Sequence, residues 1–255
     1  MESVFALTPP ATFAICFAVA FLAGVVKGMV GFALPMIMIS LLSGVIAPEL
    51  ALAGLMLPTV LANVWQALRQ GLRAAWQSAL QFRVFMAVGF GALLVSAQLV
   101  RVIPMWAMLL IIGGPVVVFS ALQLLGWRPH VKANSTALEA SVGAFSGAIG
   151  GFSGTWGPPT VLYLAALNTP KRDSVRIQGV LYGTGSMVLF FAHIGSGVIR
   201  WETLPFSIAL CVPALLGVAT GFLVQDRIDQ ELFRRATLAV LLIAGLNLIR
   251  RALVG

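Results

Sequence analysis

The sequence predicts an all-α integral membrane protein of about ten transmembrane helices, arranged as two inverted five-helix repeats with a Gly-rich helix break in each half. Three observations lead there. The 255 residues are 60% hydrophobic and 9% charged, with a mean hydropathy of +1.00, whereas a soluble domain carries about 25% charged residues. Ten apolar segments follow one another, at residues 11–27, 32–46, 48–68, 82–99, 104–125, 136–149, 158–168, 174–195, 204–224 and 235–252. Finally, one Gly-rich pattern occurs twice inside this apolar sequence.

The first copy runs from Gly24 through Lys27, Gly28 and Gly31 to Pro35, and the second from Gly143 to Pro158 and Pro159. Gly24, Gly28 and Gly31 align with Gly143, Gly147 and Gly150, and Pro35 aligns with Pro158 after a four-residue insertion. Backbone that leaves the helix in lipid must line protein or a water-filled cavity. Paired broken segments in two halves of a membrane protein point to a transporter's substrate site.

The segments differ in length. Spanning helices need about 20 residues. At about 1.5 Å per residue, 32–46 and 158–168 cover roughly 22 and 17 Å of a ~30 Å hydrocarbon core. They read as half-helices, tilted hairpin arms or thin-membrane spans. Charge favours counting them as crossings. With five crossings per half, one side holds Lys27, Arg69, Arg73, Arg83, Arg128, Lys132, Lys171, Arg172, Arg176, Arg227, Arg234 and Arg235. The other side holds only Arg101, Arg200, Arg250 and Arg251. With four crossings per half and Lys27 set aside, the split is eight against seven. The positive-inside rule therefore gives ten crossings, with both termini on the outer, periplasmic side of a bacterial-type inner membrane. Five per half is odd, so the repeats are inverted.

The polar stretch Gly126–Ser135 is the seam, which gives an N-terminal repeat over 1–128 and a C-terminal repeat over 129–255. Each half also carries a Gly-to-Trp loop, ending in Trp76 and Trp201, which are interfacial anchors. Residues 69–83 read as loop. The net charge of +8 sits in short loops and forms no contiguous basic patch, so topology explains it and nucleic-acid binding does not. Cys16 and Cys211 lie within apolar segments as small core residues, without a disulfide, metal or cofactor framework. The start, Met1-Glu2-Ser3, lacks the basic region of a cleaved signal peptide.

The breaks suit an anion. Backbone N–H groups at the start of a half-helix donate hydrogen bonds, and glycine lets a ligand approach them. Lys27, between glycines, is either an anion ligand or a topology anchor that snorkels to the interface. Gly28 and Gly31 flank it. The spacings Gly24-xxx-Gly28 and Gly143-xxx-Gly147 also suit close helix packing, which is the simpler role for those four residues. In the second break Gly151, Ser153, Gly154, Thr155, Trp156 and Gly157 are expected to line the site, with Ser153, Thr155 and Trp156 as donors. Asn63 and Gln66 share one helical face, as do Gln178, Tyr182 and Ser186. These residues either meet substrate or bond neighbouring helices. Arg176 reads as a cytoplasmic anchor, and His193 as structural.

The duplicated Gly-rich segments ending in Pro35 and Pro158, together with the short-loop polytopic layout, resemble the sulfite exporter TauE/SafE family, also called the toluenesulfonate uptake permease family. The Phe32-Ala33-Leu34 stretch is poorer in glycine than that family's first repeat. The resemblance implies a secondary carrier, not an enzyme, for small sulfur-containing anions such as sulfite, sulfoacetate or related sulfonates, without a cofactor. Its partners are that substrate and membrane lipid, and a homodimer is one way to cover the outward apolar faces. Two rival readings stand beside it. One is an anion channel. The other is an intramembrane serine protease using Ser153, in the G-x-S-G of Gly151–Gly154, with His193.

Overall fold

A computed structural model describes residues 9–99, 104–127, 135–153, 157–195 and 199–254. Eleven helices lie among them: α1 (Pro10–Val30), α2 (Leu34–Leu42), α3 (Pro48–Leu68), α4 (Leu72–Gln81), α5 (Arg83–Leu99), α6 (Met105–Leu124), α7 (Thr136–Ser153), α8 (Gly157–Ala166), α9 (Lys171–Gly195), α10 (Leu204–Arg227) and α11 (Gln230–Val254). Ten of them match the ten apolar segments. The eleventh, α4, corrects the reading of 69–83 as loop. Its polar residues, Arg73, Gln77, Ser78 and Gln81, disguise a stripe of Leu72, Trp76 and Leu80 at four-residue spacing, each more than half exposed. It meets the following helix at a bend of 67°.

The helices are apolar on both sides. Along α10, Phe206, Leu210, Ala214 and Val218 are buried, while Ile208, Val212, Leu216 and Leu223 are each more than half exposed. A helix hydrophobic all round belongs in a membrane, and so does an exposed apolar surface of this extent. Among the described residues, Pro10–Val30, Glu49–Leu68, Leu204–Arg227 and Gln230–Val254 are long and apolar enough to cross singly. Leu72–Gln81 with Arg83–Ser96 passes the same test as one broken span. Length and composition thus give four to five candidate spans among the described residues, fewer than the ten expected. The shortfall is clearest at α2, which has nine helical residues where fifteen were read, and at α8, which has ten. These are about 14 and 15 Å long.

Packing groups the helices otherwise than the sequence halves do. One compact unit comprises Met1–Trp76 with Val175–Ile228, and the other Gln77–Ser174 with Asp229–Gly255.

In the first unit α1 lies against α10 with almost no side chain between. A Cβ on Gly24 would sit 2.1 Å from Ala214 O, and one on Gly217 would sit 2.1 Å from Phe21 O. Gly28 and Gly221 abut Val218 O and Val25 O in the same way. The helix α3 also packs on α10, and Pro58 inside α3 leaves the Gly54 carbonyl without its helical donor. Ser207 of α10 fills that gap, donating to Gly54 O at 3.2 Å and accepting from Leu57 N at 3.3 Å. In the second unit α7 packs on α5, where a Cβ on Gly147 would fall 1.9 Å from Gly89 O, and α11 packs on α6 through Gly113 and Gly245.

Candidate functional site around Lys27

The first break begins where α1 ends. Gly31 caps the helix in the left-handed region at φ 96°, and its N–H donates to Lys27 O at 2.7 Å. A side chain there would be strained by that φ and would also strike Gln178 at 2.6 Å, so both backbone and space require glycine. Ala33 follows at φ 78°, a conformation non-glycine residues adopt at a cost of about 1 kcal/mol or more. The helix α2 then restarts with Pro35 in its first turn and no side-chain cap.

The carbonyls freed by the break find donors from three helices. The Gln66 amide of α3 donates to Lys27 O and Gly31 O, at 3.3 and 3.1 Å. The Gln178 amide of α9 donates to Val30 O at 3.4 Å. Lys27 itself donates to Gly31 O at 3.5 Å. Backbone that leaves the helix at membrane depth is satisfied here by protein, as it must be.

Lys27 is 1% exposed. Its Nζ donates to Asn63 Oδ1 at 2.7 Å, Asn63 Nδ2 donates to Ser186 Oγ at 3.0 Å, and that hydroxyl donates to Gly183 O at 3.0 Å. Among the described residues Lys27 forms no ion pair, and Gln66 Oε1 is buried without a partner. A cation at such a place is costly.

Lys27, Gly31, Asn63, Gln66 and Gln178 therefore come together as the sequence suggested, with Ser186 joined to them. Tyr182 is buried on α9 between Gln178 and Ser186. Gly28 serves packing: the space its side chain would need is filled by α10 backbone. Sequence reasoning missed Gly179 and Gly183, which bring α9 close to α3. A Cβ on Gly179 would meet Ala67 N at 2.5 Å. Their four-residue spacing was the available signal.

The second break falls between α7 and α8, so Gly154, Thr155 and Trp156 lie outside the described residues. Gly150, Gly151 and Ser153 continue α7, which corrects the alignment of Gly150 with the break at Gly31: the two breaks correspond through Pro35 and Pro158, each the second residue of its helix. Gly157 opens α8. Behind it Thr160 donates to Ser146 Oγ at 3.4 Å, with both residues buried. The surroundings of Gly151 and the side chains of Ser153 and His193 are outside what is described, and so is any dyad between the last two.

Charged side chains cluster at the end of α3, close to this site. Arg69 bonds Gln225 and pairs with Asp226 at 2.6 Å while lying over the Phe222 ring, and Arg176 donates to Gln70. In the second unit Arg234, at the start of α11, donates to Gln123 O at the end of α6, at 3.5 Å.

The sequence matches the family described as Sulfite exporter TauE/SafE over residues 16–248, nearly the whole chain, and it belongs to that family. The family is one of membrane transporters rather than enzymes. Comparison with curated proteins and with solved structures finds no match.

Proposed function

We propose that this member of the TauE/SafE family is a secondary carrier of small sulfur-containing anions, sulfite, sulfoacetate or related sulfonates, in a bacterial-type inner membrane. The observation that carries this reading is Lys27, whose amino group is buried against neutral acceptors with no carboxylate beside it among the described residues. Such a place is completed by an anion. Asn63, Gln66 and Gln178 fix its walls. At the second break Ser153, Thr155 and Trp156 are proposed as donors, and Gly151, Gly154 and Gly157 as points of close approach.

Ten crossings in two inverted repeats, with both termini outside, remain the topology that best accommodates the contacts. Arg176 meets Gln70, and Arg234 meets Gln123. Ten crossings put both members of each pair on one side of the membrane. Four crossings per half would put them on opposite sides. The reciprocal packing of α1 on α10 and of α7 on α5 likewise suits two related halves, and paired breaks in two such halves are the basis on which we propose alternating access.

The test is calorimetry and thermal shift on purified protein with sulfite, sulfate, thiosulfate, sulfoacetate, taurine and lactate. A selective ligand at a hundred times its Kd raises stability by about 2.7 kcal/mol. Sulfite or a sulfonate is expected to give that shift, and Lys27→Met to abolish it. No shift with any anion, or an unchanged shift in Lys27→Met, overturns the reading.

A further inference from the structure

Lys27 is the one charged side chain buried in its unit, among the described residues, and its hydrogen-bond partners are neutral. The surrounding helices bring little that titrates. Besides Lys27, α1 holds only Cys16, and α2 holds nothing titratable. There is none on α3 between Glu49 and Arg69, and none on α10 between Cys211 and Asp226. Tyr182 stands alone on α9 between Arg176 and His193. Asp226, the acid at the nearby end, is engaged by Arg69 at 2.6 Å.

An ammonium so placed is strongly unfavourable away from water. It is relieved either by an anion beside it or by loss of its proton. From this geometry we infer that Lys27 carries one proton with each anion. The proton is taken up from the side on which a monoanion enters, held as the Lys27 ammonium while the anion is bound, and released with it on the other side. The anion brings one negative charge and the proton one positive. Loaded and empty sites are then both neutral, and a turnover moves no net charge. Asn63 serves both forms, because the amine and the ammonium each keep an N–H for the Oδ1 now 2.7 Å away. This inference rests on the carrier reading above and adds its coupling.

Proteoliposomes test it, with methanesulfonate as permeant beside the panel above. A sulfonate stays ionised across pH 5–9, so any proton that moves is carried by the protein. In the wild type, net methanesulfonate efflux is expected to acidify the outer medium at one proton per anion. The efflux rate should be unchanged when valinomycin and potassium clamp the membrane potential. In Lys27→Arg, which holds its charge, net efflux should fall at least tenfold. Net efflux that valinomycin accelerates several-fold, or that moves no proton, overturns the coupling and leaves the carrier intact. Sustained net efflux in Lys27→Arg overturns the coupling equally. The wild-type measurement decides even if the variant does not fold. Absence of exchange with every anion of the panel overturns the carrier reading itself, and the coupling with it.

Discussion

Replacing Asn63 by Asp changes one atom's identity and should separate folding from binding. The new carboxylate would stand where Oδ1 now sits, 2.7 Å from Lys27 Nζ. In the empty protein two effects oppose each other. A hydrogen bond to a charged group is worth about 1.5–3 kcal/mol against about 1 for a neutral one, which favours the variant. Against this, the donor to Ser186 at 3.0 Å is lost, about 0.6–1 kcal/mol in a membrane interior, and the carboxylate must be desolvated. Stability should therefore stay within about 1–2 kcal/mol of wild type. Binding should not. An anion about 4 Å from the new carboxylate is repelled by about 4 kcal/mol at an effective dielectric of ~20, which is about a thousandfold in Kd. Asn63→Ala behaves the other way. It removes acceptor and donor without adding charge, so stability falls by about 2–3 kcal/mol while affinity in the protein that remains folded stays within about tenfold, 1.4 kcal/mol. Thermal unfolding in detergent reads the first quantity, and calorimetry with sulfite and sulfoacetate the second. If Asn63→Asp binds either anion within about tenfold of wild type, the anion does not sit beside Lys27 and the reasoning fails.

Two further outcomes follow from the packing. Gly147→Ala should lower thermal stability by about 1–3 kcal/mol through overpacking against α5, whereas Gly91→Ala, which meets open space, should stay within about 0.5 kcal/mol. Equal effects at the two glycines would show that the close approach is not what matters. The exposed stripe Leu72, Trp76 and Leu80, with Arg73 and Arg83 also exposed, marks α4 as a helix lying in the headgroup region. A fluorophore attached to cysteine introduced at position 76 should be quenched by lipids brominated near the top of the acyl chain. An unquenched label would place that face in water.

Much of the first site was legible because polar residues in apolar helices have few places to go. Lys27, Asn63 and Gln66 stood out as polar groups in apolar sequence. The three-residue step on α3 and the four-residue steps on α9 gave the faces they share, and those faces meet. What stayed hidden was not local. Nothing near Gly28 in the chain says that Val218 O will occupy the space beside it. The run from Gly150 to Ser153 looks like a break because glycine weakens helices in water. With no water to satisfy an opened backbone, α7 continues through it. The helix α4 was hidden for the opposite reason. Its low average hydropathy reads as loop, although its apolar residues recur at helical spacing.

The partners of the small-residue faces explain why compact units and sequence halves do not coincide. The first helix of each sequence half turns its glycines to the fourth apolar segment of the other half, α1 to α10 and α7 to α5, and the fifth segments, α6 and α11, meet each other. Each contact depends on backbone-to-backbone approach that a single methyl group would disturb. In lipid, where apolar burial supplies little attraction between helices, such fit is the main source of association. Either sequence half alone would present the face of Gly24 and Gly28, or of Gly143 and Gly147, with nothing shaped to receive it. The Gly-rich pattern is thus legible in each half, while stability resides in contacts between elements far apart in the chain. The Lys27 site inherits that arrangement: α1 and α3 come from the N-terminal half of the sequence, and α9, which supplies Gln178 and Ser186, comes from the C-terminal half. A substitution in either half that moves one of these helices by an ångström reaches the site from outside it.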